Sequence, residues 1–214
     1  MMTAQQNLTP VANQTPAVVN VPTKELSGAQ WVSRFPTSSD TADLVSPFKD
    51  DLNSFIAALR AAGVSVTVSA TYRPPERAYL MHWCYKIARD NYDSRTVPDM
   101  AGVNIQWDHI AADGSYSSTG SIQSAQDMVN GYSMQNLHTP PALNSRHTLR
   151  LAVDMSISWT GNLTINKADG STVTITTEPR TGMNTDLAAV GASYGVIKFV
   201  GGSADKPHWS DNGH

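Results

Sequence analysis

The stretch SRHTLRLAVDMS, residues 145–156, governs the reading of the whole chain. His147 and Asp154 stand seven residues apart, with an apolar, strand-like run between them. A strand here leaves two roles open for Asp154. It is a metal ligand, or it is a turn residue after a buried strand. The choice depends on whether the chain supplies a third ligand and a base elsewhere.

Working outward, GNLTINKADGSTVTIT, 161–176, has the pattern of a hairpin turning at Asp169-Gly170. VSVTVSA, 64–70, alternates and is β-branched, as a strand does. SPFKDDLNSFIAALRAAG, 46–63, reads as a helix, with Ser46 as cap, Pro47 at the first position, Asp50 and Asp51 in the first turn and Gly63 at the end. Phe48, Leu52, Phe55, Ile56 and Leu59 fall on one face of it. A loop at Tyr72-Arg73-Pro74 leads into a second helix over 75–89. Residues 91–120 look irregular, a short helix follows over 121–132, and 183–195 and 196–200 read as a helix and a strand. Strands and helices mix without regular βαβ alternation, which favours the α+β class.

The chain has 214 residues, enough for one domain with a substantial core. Residues 1–28, rich in Gln, Asn, Thr, Pro and Ala, read as a flexible N-terminal tail, and residues 29–214 as the folded domain. The net charge of -3 and pI near 6.0 leave no basic surplus to neutralise phosphates, so no nucleic-acid partner is expected. The single cysteine, Cys84, excludes an intrachain disulfide and a Cys-based zinc site, so any metal is held by His, Asp or Glu. The N-terminal stretch has neither a positive n-region nor a long apolar run. No signal peptide and no membrane span are expected, and a monomer is the default.

A zinc peptidase needs three protein ligands with one position open, a carboxylate that moves a proton, and a cation or donor for the developing oxyanion. His147 and Asp154 offer two ligands, and His208, in Asp205-Lys206-Pro207-His208-Trp209, offers the third. Asp205, three residues before His208 across a turn with Pro207, is the expected acid/base, and Arg73 the expected cation.

Ser145-x-His147-(x)6-Asp154, followed by Asp205-x-Pro207-His208-Trp209 and preceded by Tyr72-Arg73-Pro74, resembles the zinc D-alanyl-D-alanine peptidases of the M15 group. That group includes D-alanyl-D-alanine dipeptidases and carboxypeptidases, and phage endolysins that cut the L-Ala-D-Glu bond. The resemblance spans roughly residues 45–210. It implies a Hedgehog/DD-peptidase-like fold with a small central antiparallel sheet and flanking helices. It implies Zn2+ on His147, Asp154 and His208, Asp205 as acid/base, and Arg73 at the substrate carbonyl. Ser145, Tyr72 and Trp209 are the implied substrate contacts, although Trp209 reads equally well as core packing. The implied activity is hydrolysis of an amide in the peptide stem of peptidoglycan. The alternative is a non-catalytic zinc-containing module of the same fold that binds cell wall or a partner. The protein would act in the periplasm or cell wall, after phage release or delivery by a secretion system as an antibacterial effector. The chain departs from the family pattern at Arg150, where the family has glycine, and in the long span between Asp154 and His208, whose hairpin is a candidate wall of the cleft. His82, Cys84 and the cluster of Tyr79, Trp83, Tyr85 and Tyr92 read as packing. His109 and His138 lie in loops.

Overall fold

The computed structural model describes residues 23–214. Residues 1–22 of the expected tail lie outside them, and the rest of that tail belongs to the fold. In chain order the elements are β1 Glu25–Leu26, α1 Phe48–Ala61, β2 Ser65–Ala70, α2 Pro75–Arg89, β3 Ile105–Gln106, β4 His109–Ile110, β5 Tyr116–Ser117, α3 Ser118–Gly131, β6 Ala152–Ser158, β7 Leu163–Asn166, β8 Thr172–Ile175, α4 Thr185–Ser193, β9 Ile197–Lys198 and β10 His208–Ser210. Strand β1 pairs in parallel with β3, and Ser27 is buried beside it, so the folded domain begins before residue 29.

The main sheet has the order β2-β6-β10-β9, and every pairing in it is antiparallel. The chain is therefore α+β, with a small antiparallel sheet and helices around it. Strand β6 sorts its side chains by parity. Val153, Met155 and Ile157 enter a core built with Phe48, Leu52, Phe55 and Leu59 of α1 and Leu187 and Val190 of α4. Asp154, Ser156 and Ser158 face the other way. The hairpin β7–β8 turns through Gly170 at φ 82° and sends Leu163, Ile165 and Ile175 into this same core.

A second core joins α2 to α3 through Leu80, Cys84, Ile87, Ala125, Met128 and Val129, with Trp31 and Trp107 against them. Tyr79 and Tyr85 are buried in it, so the aromatic cluster of α2 is largely packing. Helix α1 starts without its expected cap. Pro47 occupies the N-cap position and no side chain bonds the first turn, whereas Asp50 and Asp51 do lie there. Helix α2 spans the expected residues, opening with Pro75 in its first turn and carrying Lys86 and Arg89 in its last.

Candidate metal centre

Sheet register brings two of the candidate ligands together. Strand β10 sets His208 directly opposite Asp154 of β6. The next rung, 155 with 207, carries the main-chain bond from Met155 N–H to the Pro207 carbonyl, so 154 and 208 form a rung without main-chain hydrogen bonds. Such rungs bring facing side chains closest. The partner residues on β10 follow the same alternation. Trp209 turns into the core, while His208 and Ser210 lie on the face of Asp154.

His147 arrives from a turn just before β6. Its Nδ1 lies 2.8 Å from the Thr71 carbonyl, and His208 Nε2 lies 3.1 Å from the main-chain oxygen of His214. Those oxygens only accept, so each outer ring nitrogen carries its proton. The inner nitrogens then point at Asp154. His147 Nε2 to Asp154 Oδ1 is 3.2 Å, His147 Nε2 to His208 Nδ1 is 3.2 Å, and His208 Nδ1 to Asp154 Oδ1 is 3.3 Å.

Two bare imidazole nitrogens and a carboxylate oxygen repel one another unless positive charge fills the point between them. Protons on both inner nitrogens are one way to supply it, and a bound cation is the other. Ligand bonds of about 2.0–2.2 Å in a tetrahedron give edges of about 3.3 Å, matching the observed triangle. The fixed outer N–H groups are the carbonyl anchors that metal-binding histidines use to set tautomer and ring orientation. The donor set N, N, O therefore fits Zn2+ with a fourth position to spare. Asp154 shows the same electrostatics. Burial alone would raise its pKa, but with the inner nitrogens protonated, hydrogen bonds from His147 and then His208 outweigh that and hold its carboxyl well below the usual range.

Asp205 ends a short 3-10 helix, Gly202–Asp205, and its Oδ2 lies 3.9 Å from His208 Nδ1. Its side chain is 48% exposed, beside the triangle and not within it. Its pKa is raised, first by burial and then by the charge of Asp154, against the lowering pull of His208, His147 and Lys198. Arg73 approaches from the loop after β2, where its N–H donates to the His147 carbonyl over 3.2 Å. Its Nε is buried with no partner among the described residues. Desolvation lowers its pKa, and the carboxylates of Asp154 and Asp205 counter that. An arginine set between two carboxylates with an unsatisfied donor is chemically suited to hold a carbonyl oxygen.

The structure places the remaining expected residues differently. Trp209 is 0% exposed and packs on Phe55 with ring centroids 5.6 Å apart. Substrate stacking on Trp209 is therefore corrected to core packing, because strand alternation turns it away from His208. Ser145 is half-buried, and its hydroxyl accepts from the Thr148 N–H at 3.4 Å, closing the turn that carries His147. Tyr72 is partly exposed, with the Arg150 guanidinium laid over its ring at 4.3 Å. Arg150 itself sits at φ 62°, the left-handed region that favours glycine. Arg150 thus holds a backbone conformation open to glycine, with its side chain exposed above Tyr72.

Three neighbours of the site lie outside the sequence reading. Thr71 and His214 contribute main-chain oxygens, which no side-chain pattern announces. Lys198 reaches the His208 carbonyl at 3.2 Å and also bonds the Lys206 carbonyl. A lysine on the strand beside a ligand strand was its only signal. His82 Nδ1 donates to the Pro141 carbonyl, and His109 Nε2 shares a hydrogen bond with the Ser27 hydroxyl; neither histidine belongs to the triangle. No helix among the described residues is long and apolar enough to cross a membrane.

No protein-family model matches the chain, and no curated protein does. Among solved structures, the chain is similar to the crystal structure of a mutant vancomycin-resistance D,D-pentapeptidase, VanY from the VanB-type resistance cassette, in complex with Zn(II). The identity is 16%, over 83% of this chain and 79% of that one, with a TM-score of 0.32. A likeness of that size carries no argument about the site or its activity.

Proposed function

We propose that the protein is a zinc-dependent peptidase that hydrolyses an amide in the peptide stem of bacterial peptidoglycan. The observation that carries this reading is the triangle of His147 Nε2, Asp154 Oδ1 and His208 Nδ1, with edges of 3.2–3.3 Å. Its outer nitrogens are anchored on carbonyls, and a half-exposed carboxylate stands beside it. The resemblance of its sequence motifs to the M15 peptidases names the substrate.

His147, Asp154 and His208 hold the metal. When bound, zinc polarises the scissile carbonyl and makes water easier to deprotonate. Asp205 Oδ2 takes a proton from the attacking water and passes it to the leaving amine nitrogen. Its raised pKa suits that double role, since a base that gives its proton back must hold it with intermediate strength. Arg73 holds the substrate carbonyl oxygen as negative charge develops on it. Thr71 and the main-chain oxygen of His214 keep both imidazoles oriented. Arg150 lies above Tyr72, apart from the triangle of His147, Asp154 and His208, which is compatible with this reading.

Digestion of purified peptidoglycan, with and without a chelator, followed by mass spectrometry of the released fragments, tests the reading. Chelator-sensitive release of defined peptides is expected, and their masses name the bond. Zinc bound at one equivalent with no release from several wall types would replace this reading with a non-catalytic wall-binding module.

A further inference from the structure

Asp205 sits on a loop that its own bonds hold weakly. Strands β9 and β10 form a hairpin, and the connection between them runs from Phe199 to Pro207. Residues 200–206 are exposed. The 3-10 turn at Gly202–Asp205 closes on main-chain bonds of 3.4 Å, from Gly202 N–H to the Phe199 carbonyl and from Ala204 N–H to the Gly201 carbonyl. Both lie beyond the ordinary N–H···O range of about 2.7–3.2 Å. The Asp205 carboxylate gains little from its neighbour, since His208 Nδ1 at 3.9 Å is too far for a hydrogen bond. A general base nonetheless needs a fixed place, because a misplacement of about 1 Å can cost about 10²-fold in rate.

Lys198 supplies what the loop lacks. It is the last residue of β9 and is half-buried. Its ammonium reaches across to the far arm and donates to the Lys206 carbonyl, and to the His208 carbonyl at 3.2 Å. Those two carbonyls stand on either side of Pro207. The Lys206 carbonyl makes no main-chain hydrogen bond among the described residues, so the ammonium ties down the chain one residue past Asp205. The Trp209 ring lies 5.0 Å from the ammonium and keeps it over the base of the hairpin. The near arm is fixed in another way. Phe199 N–H donates to the His208 carbonyl at 3.2 Å, and the Phe199 ring meets the imidazole edge-on at 5.7 Å. A surface lysine ordinarily extends its ammonium into water. Here two of its donors are turned back onto the chain.

We propose that Lys198 is a positioning residue for Asp205, clamping the base of the loop so that the carboxylate stays beside the ligand triangle. The proposal rests on the peptidase reading and deepens it. Lys198 acts through the backbone of Lys206 and takes no part in the proton transfer itself.

The test combines 15N relaxation with kinetics on zinc-loaded, full-length protein. Three forms are compared: the wild type, Lys198→Met, which keeps an unbranched stem without donors, and Lys198→Arg, which keeps charge and donors. Kinetics use soluble muropeptides as substrate. In the wild type, backbone order parameters over Ala204–Lys206 are expected near the rigid value of about 0.85, and in Lys198→Met below about 0.6. Lys198→Met is expected to keep one equivalent of zinc and to lose kcat about tenfold or more, with KM within about twofold. Lys198→Arg is expected to restore the order parameters and to bring kcat within about threefold of the wild type. The wild-type order parameters need no variant, and a mobile Ala204–Lys206 segment there would overturn the clamp directly. Wild-type cleavage with a segment that stays ordered in Lys198→Met, with kcat unchanged in it, or with Lys198→Arg equally impaired, would overturn the clamp and leave the peptidase reading standing. No cleavage of muropeptides by the zinc-loaded wild type would overturn the peptidase reading and the positioning role together.

Discussion

At the scale of single residues, the proposed mechanism separates holding a metal from moving a proton. Asp205 lies outside the ligand triangle, 3.9 Å from His208 Nδ1. Asp205→Asn keeps the shape and removes the basic oxygen. It is expected to retain a full equivalent of zinc, read by elemental analysis, and to lose turnover by about 10²–10⁴-fold. Loss of metal together with turnover would make Asp205 a ligand instead. In the proposed mechanism the same residue sets the pH profile. Its pKa is raised, chiefly by burial and then by Asp154, so the required ionised form is present above that raised value and is lost as pH falls through it. The acid limb of kcat/KM is therefore expected above the ordinary aspartate value of about 3.9. Lys198 pulls in the opposite direction. Lys198→Met is expected to move that limb to higher pH, and a limb that stays in place would assign it to another group.

Arg150 carries a second lesson at this scale. The sequence shows an arginine where the related motif has glycine, which reads as a departure. The structure shows the arginine holding φ 62°, a conformation that glycine adopts without strain. A left-handed conformation costs a residue with a Cβ about 1–2 kcal/mol, and glycine loses part of that advantage through the freedom of its unfolded chain. Arg150→Gly is accordingly expected to leave stability unchanged or raise it by up to about 1 kcal/mol, read from urea unfolding. A clear loss of stability would show that the contact of Arg150 with Tyr72 outweighs the backbone strain.

At the scale of elements, strand parity explains both what could be read and what could not. The alternation around Asp154 and the spacing of Asp205 from His208 pointed to residues that the fold brings together, because residue type and order carry that information. Trp209 was ambiguous because its strand, β10, is only three residues long, too short for a periodicity of its own. Its direction is fixed by pairing with β6, a contact more than fifty residues away in sequence. The short strands within 91–120 were illegible for the same reason. Each is two residues long and exists only through its partner. The cap of α1 failed differently, since Pro47 took the position expected of Ser46. Beneath the site, α4 approaches Trp209 through Gly191. A Cβ there would meet Trp209 Cζ3 and the Val196 carbonyl oxygen, each at 2.8 Å. The second contact is main chain and cannot swing aside. Gly191→Ala is expected to destabilise the protein by about 1–3 kcal/mol despite alanine's better helix propensity.

At the scale of the whole molecule, the ligand triangle ties together segments that the chain keeps far apart. His147 comes from the turn before β6, Asp154 from β6 itself and His208 from β10, and the carbonyl that anchors His147 belongs to Thr71, the residue after β2. A cation bound there joins three of these segments and stabilises the native state over the unfolded chain, in which the ligands are dispersed. The gain grows as RT ln(1 + [L]/Kd), about 2.7 kcal/mol when free zinc is a hundred times Kd. Thermal unfolding is thus expected at a temperature that climbs with free zinc and returns to the metal-free value with chelator. His147→Ala is expected to abolish that climb, because one corner of the triangle and its anchor on Thr71 disappear together. Asp205→Asn is expected to preserve it. A zinc-dependent rise that survives His147→Ala would place the metal elsewhere, and with it the chemistry, whereas the opposite pairing of results would separate the residues that hold the ion from the one that moves the proton.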